Sequence, residues 1–144
     1  MRPVIDKRIT NELNADFEEA ETSAIQIAQQ QLNEYFNGER TAFDIPLQMV
    51  GTTFQKSIWD ELLKIPYGKT ETYLGISRRI KNEKTIRAVA AANGANAISI
   101  IIPCHRVIGS KGELTGYAGG IDVKRKLLQL ESGIQEPEQL QLFN

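Results

Sequence analysis

The 144-residue chain is 41% hydrophobic, enough to bury one core, so it holds one domain, or one domain with a short appendage, and not two large ones. No apolar run approaches the roughly 20 residues that span a bilayer, and Met1-Arg2-Pro3-Val4-Ile5-Asp6-Lys7 lacks a signal peptide's apolar centre, which predicts a soluble, cytoplasmic protein with no membrane partner. The net charge of -1 hides an asymmetry: Gly51 to Glu131 carries 13 Lys and Arg against 7 Asp and Glu, and the remainder carries 4 against 11, as a basic nucleic-acid-binding module beside an acidic segment would, or as solvated faces do by accident.

Residues 1–15 alternate weakly and fit either a strand or a loose terminus. From Asp16 to Phe36, the positions Phe17, Ala20, Ala24, Ile27, Ala28, Leu32 and Tyr35 recur at spacings of three and four, which predicts one long helix stopped by Asn37-Gly38. Residues 41–50, broken by Pro46, read as an extended connector. Gly51 then marks the boundary between an N-terminal segment, 1–50, and a unit spanning 51–134, with 135–144 a polar tail.

Thr52 with Gln55 makes a capping-box pattern, opening a helix faced by Phe54, Ile58, Leu62 and Ile65 and ended by Pro66, with Trp59 in the core. Tyr67-Gly68-Lys69 turns the chain into a short helix, 73–80, and the polar break Lys81-Asn82-Glu83 leads to a third, 84–93. Two short helices about a tight polar turn suggest a helix-turn-helix, a pattern that many helical hairpins share without binding anything. The β-branched run 97–102, closed by Pro103, predicts a buried strand. Residues 109–120, with five glycines, predict a mobile loop, and 123–131 a closing helix.

One cysteine and one histidine make neither an internal disulfide nor a tetrahedral zinc site of sulfur and nitrogen ligands, so Cys104 is left with thiol chemistry. The run Ile102-Pro103-Cys104-His105-Arg106-Val107 puts that thiol beside a base and a permanent cation, either of which favours the thiolate needed for attack. By residue type alone the same cysteine is more often a packed, inert core side chain.

Pro103-Cys104-His105-Arg106-Val107, with Phe54-Gln55, Ile65-Pro66-Tyr67-Gly68, Arg87-Ala88-Val89, Asn93, Asn96, Gly116-Tyr117-Ala118-Gly119-Gly120 and Lys124 to Glu131, resembles the O6-alkylguanine-DNA alkyltransferases, from about Gly51 to Glu131. The resemblance implies an α+β fold: a mostly helical, winged-helix-like C-terminal domain with a helix-turn-helix, preceded by an N-terminal α/β segment reduced here to residues 1–50. It implies single-use DNA repair, in which the thiolate of Cys104 takes the alkyl group from O6-alkylguanine, and from O4-alkylthymine, in double-stranded DNA, without a cofactor or metal; a monomer is the default expectation.

In that resemblance, His105 takes the cysteine proton through a water and Glu131 orients it. Tyr73 stabilises charge on the departing purine, and Asn96 ties the recognition helix to the Cys104 segment by its two-sided amide. Ala97 stands where the family usually has proline. Arg87 replaces the nucleotide extruded from the stack. Ala88 and the small residues after it allow close approach to the minor groove. Asn82 and Ser110 fall at backbone contacts, and Val107, Tyr117 and Ala118 fall around the base pocket. Two other classes stay in view. A lesion-recognition protein without transfer would lack the cysteine, and a sequence-reading regulator would carry base-reading side chains where this chain has alanines.

Overall fold

Among the residues described by the computed structural model, 2–81 and 86–133, the chain runs α1 (Arg2–Leu13), α2 (Ser23–Phe36), α3 (Thr53–Leu63), β1 (Glu71–Thr72), α4 (Tyr73–Arg79), α5 (Ile86–Gly94), a single 3-10 turn (Cys104–Arg106), β2 (Val107–Ile108) and α6 (Ile121–Ser132). The class is the expected one, mostly helical with a small sheet. β1 and β2 pair in parallel, Glu71 against Val107 and Thr72 against Ile108. That pairing brings the start of α4 beside the residues that follow Cys104.

Local chemistry explains the helix starts. The Thr52 side chain accepts from Gln55 N at 3.1 Å while Gln55 Oε1 accepts from Thr52 N at 3.0 Å, a complete capping box on α3. Thr72 caps α4 through Gly75 N at 2.9 Å. α5 packs on both α3 and α4. Between them lies the core: Ile58, Trp59, Leu62, Tyr73, Ile76, Val89 and Ala92, joined by Ile102, Cys104 and Val107. A fully buried Leu or Ile of this kind contributes about 1.5–3 kcal/mol. The nucleophile candidate is thus part of the hydrophobic core and not an appendage to it.

Residues 1–50 supply helices and extended chain, with no strand among those described. The opening residues form α1, neither a strand nor a loose end. The long helix expected from Asp16 begins only at Ser23, where the Thr22 hydroxyl accepts from Ile25 N at 3.2 Å. The preceding Asp16, Glu18, Glu19 and Glu21 would repel one another on successive turns, and Phe17 stays 61% exposed. Gln31 pins the connector to α2 through both atoms of its amide, to Asp44 O at 3.2 Å and from Asp44 N at 2.9 Å.

Residues 97–102 are not a strand. Ile98 N donates to Asn96 Oδ1 at 3.0 Å and Asn96 Nδ2 donates to Ile102 O at 2.9 Å. One short amide cannot reach both ends of an extended run whose residues rise about 3.3 Å each. The segment folds instead into a turn closed by Ile102 N on Ile98 O at 3.0 Å, with Ile100 in the left-handed region at φ 75°, a conformation that a β-branched side chain adopts only under constraint.

Candidate active site

The Asn96 turn delivers Ile102, Pro103 and Cys104 into the interior. Cys104 N donates to Ile102 O at 2.8 Å and Cys104 O accepts from Asn93 Nδ2 at 3.3 Å, so the backbone on both sides of the thiol is held from α5 and its C-terminal extension. Cys104 is 5% exposed. Burial pushes its thiol above the ordinary value, and Asn96 and the Lys124 ammonium pull the other way without overcoming it. At neutral pH the resting side chain is a thiol, and attack by its sulfur needs something to take its proton.

His105, the next residue, is wholly buried. Its Nε2 meets Glu131 Oε2 at 2.7 Å. Burial works against the Glu131 charge, but hydrogen bonds from His105 and Arg106 outweigh it and hold the carboxyl below its usual value. A carboxylate only accepts, so Nε2 carries the proton and Nδ1 of the neutral ring keeps its lone pair. Nδ1 is buried and has no hydrogen-bond partner among the described residues. Burial lowers the His105 pKa, aided by Arg106 and Lys124 and opposed by Glu131, so the ring is a free base at neutral pH.

Arg106 does not serve the thiol, as its position beside Cys104 had suggested. Its Nε donates to Glu131 Oε1 at 2.6 Å, its Nη1 to Ile65 O at 2.7 Å, and its guanidinium lies 5.8 Å from the Tyr67 ring centre. It is the counter-ion that keeps a buried carboxylate charged.

Lys124 was not singled out from the sequence. It is fully buried on α6, donates to Val107 O and, at 2.8 Å, to Thr115 O, and lies 5.8 Å from the Tyr73 ring centre. The Tyr73 hydroxyl also donates to Thr115 O, at 3.1 Å. The glycine-rich loop expected to be mobile is therefore tied at Thr115 by two donors, and Gly109 N on Glu113 O at 2.9 Å closes its first part. A Cβ on Gly116, which adopts φ +69°, would come within 3.2 Å of the Tyr73 hydroxyl, so only glycine lets the loop lie this close.

Cys104, His105, Glu131, Tyr73, Asn96 and Val107 are thus brought together. Tyr117 is half-buried against the same core, its phenol pushed up to about 12 by burial and by Cys104, while Ala118 is exposed on the loop. Arg87 and Ala88 lie exposed at the start of α5, and Ser110 is exposed after β2. Asn82 and the tail lie outside the described residues. Arg87 and Ala91, four apart, and Ala88 and Ala91, three apart, are neighbours along α5 and all three are exposed, while Val89 and Ala92 are buried.

A family model described as the DNA binding domain of 6-O-methylguanine DNA methyltransferase matches residues 53–133. The chain belongs to this family. A second model, described as the ribonuclease-like domain of the same proteins, matches residues 6–49. A methylated-DNA–protein-cysteine methyltransferase of Methanosarcina acetivorans is 56% identical over 104 residues, 72% of this chain and 67% of that protein. One from Mycobacterium tuberculosis is 54% identical over 114 residues, 79% of this chain and 68% of that protein. The crystal structure of Mycobacterium tuberculosis OGT in complex with DNA superposes with a TM-score of 0.78 at 48% identity, covering 89% of this chain and 81% of that one. No helix among the described residues is long and apolar enough to cross a membrane.

Proposed function

We propose that this member of the family repairs DNA by moving an alkyl group, methyl above all, from guanine O6 to the sulfur of Cys104. The observation that carries it is the buried order Cys104, His105, Glu131, Arg106. A neutral imidazole, fixed in one tautomer by an anion that is itself held by a cation, keeps an unpartnered Nδ1 available for a proton in the residue that follows a buried thiol.

The thiol proton passes through a water to His105 Nδ1, and the sulfur forms its bond to the alkyl carbon as the carbon–O6 bond breaks. The electron pair leaves with the purine, which takes up a proton, and Tyr73 supplies a hydroxyl where that negative charge grows. The product thioether has no polar bond that water attacks readily, so each molecule acts once.

Reaching O6 requires the nucleotide to leave the stack, at a cost of a few kcal/mol. Arg87 occupies the gap, with Ala88 and Ala91 against the minor groove and Ser110 and Asn82 on the phosphate backbone. Val107, Tyr117 and Ala118 line the base pocket, which accepts O6-alkylguanine and also O4-alkylthymine. The protein works as a monomer inside the cell, with residues 51–134 as the DNA-binding and active-site unit, 1–50 as its reduced N-terminal support and 135–144 as a tail. That a relative is solved on DNA supports this arrangement.

The test is stoichiometric. A duplex carrying one O6-methylguanine is incubated with rising amounts of protein, digested and its nucleosides separated. The expected result is one guanine restored per protein molecule and none thereafter. Lesion binding without restoration would leave only the recognition function.

A further inference from the structure

α1 is held to the rest of the protein by little packing. Ile5 is its one buried residue, while Val4 is 72% exposed and Leu13 42%. Its principal tie is polar. Arg8 Nη2 donates to Ala95 O at 2.9 Å, and its guanidinium lies 5.3 Å from the centre of the Trp59 ring. Trp59 in turn donates from Nε1 to Ala92 O at 2.9 Å. Two stacked side chains, one from α1 and one from α3, therefore grip carbonyls at the C-terminal end of α5. A cation there also meets the negative end of the helix dipole.

That end of α5 is the one that holds the nucleophile. Asn93 reaches Cys104 O, and Asn96, one residue beyond Ala95, reaches Ile98 N and Ile102 O. Arg8 and Trp59 also line, with Asn96, Ile98 and Ile102 among others, a pocket of about 100 Å³ beside the Asn96 turn, so on that side the polar contact of Arg8 with Ala95 O is what ties α1 to the turn.

We propose that Arg8 is a positioning residue for alkyl transfer: from the N-terminal segment it sets the place of the α5 end and, through Asn93 and Asn96, of Cys104. This rests on the function proposed above. Arg8 touches neither substrate nor thiol, so its effect falls on the chemical step and not on binding. α5 offers DNA its opposite end, at Arg87.

The test compares Arg8→Met, which keeps the apolar stem and removes the donors, with Arg8→Lys, which keeps a donor, and with Lys7→Ala on the exposed side of the same helix. Single-turnover transfer from an O6-methylguanine duplex is measured against DNA concentration. Arg8→Met is expected to lose about tenfold in the saturating rate, within the roughly hundredfold that a misplacement of about 1 Å can cost, with little change in the half-saturating DNA concentration. Arg8→Lys should recover most of the loss, and Lys7→Ala should match the parent. An unchanged saturating rate in Arg8→Met, a change confined to the half-saturating concentration, or a loss that Arg8→Lys does not recover overturns the proposal. If the parent protein transfers nothing, the proposed function has failed; the rate at which iodoacetamide modifies Cys104 without DNA still reads the contact. A changed rate in Arg8→Met, recovered in Arg8→Lys, supports it, and equal rates overturn it.

Discussion

His105 Nε2 and Glu131 Oε2 meet at 2.7 Å with at most 1% of either side chain exposed. The contact joins the residue after the nucleophile to the last turns of α6, and both partners have pKa values below their ordinary ones, for different reasons. His105 is lowered chiefly because burial disfavours its cation. Glu131 is lowered because bonds from His105 and Arg106 outweigh the burial that would raise it.

The acid side of the stability curve follows from His105, the chain's one histidine. Its folded pKa lies below the unfolded value of about 6.5, so below that pH the unfolded chain takes up a proton that the folded protein resists. Stability is full above about pH 6.5 and falls as the pH drops toward the folded value. The lowered carboxyls of Glu131, Glu34 and Glu71 add their loss only further down, below about pH 4.5. Urea unfolding between pH 7 and 5 should show a falling midpoint in the parent and a much flatter one in His105→Gln. Parallel curves for the two proteins would contradict the buried neutral histidine.

Lys124→Met removes the donor shared by Val107 O and Thr115 O. Thr115 O keeps the Tyr73 hydroxyl, so the loss falls on the buried Val107 O, and stability should drop by about 1–3 kcal/mol in denaturant titration. The Cys104 thiol also loses a nearby positive charge, and its pKa should rise further above the ordinary range. The pH dependence of thiol modification by iodoacetamide reads that shift directly, and no upward movement would mean that Lys124 acts on the loop alone.

Arg87→Ala should separate DNA handling from chemistry. The side chain is exposed, and such substitutions usually change stability by less than about 0.5 kcal/mol. Transfer from a duplex lesion should weaken because nothing fills the gap left by the extruded nucleotide. Transfer from the free base O6-methylguanine, which needs no extrusion, should match the parent. Equal losses on both substrates would place Arg87 in the chemistry instead.

Much of this was legible in the residues, because it is local. Thr52 and Gln55 lie three apart and cap the helix they announce, and Asn37-Gly38 ends α2 where expected. The residues of the nucleophile segment were marked by a long ordered resemblance and fall together in space. What was not legible depends on partners distant in sequence. Ile98 to Ile102 looks like a strand by composition, and only the two-sided bonding of Asn96 folds it into a turn. In the sequence Lys124 is only the first residue of the Lys124 to Glu131 match, and its role depends on the carbonyls that β2 and Thr115 offer it. Arg106 reads as a helper for the neighbouring thiol until α6 brings Glu131 to it. Arg8 pairs with a carbonyl 87 positions away, and no local pattern announces that.

The central claim is that Cys104 itself becomes the alkyl carrier, and the most direct test is peptide mass after reaction with a duplex containing O6-methylguanine under reducing conditions. The expected result is one methyl group on the peptide that contains Cys104, stable to prolonged incubation, and none in Cys104→Ala although that variant still binds the lesion. A Cys104 peptide of unchanged mass, while the duplex stays bound and its guanine remains methylated, would contradict it.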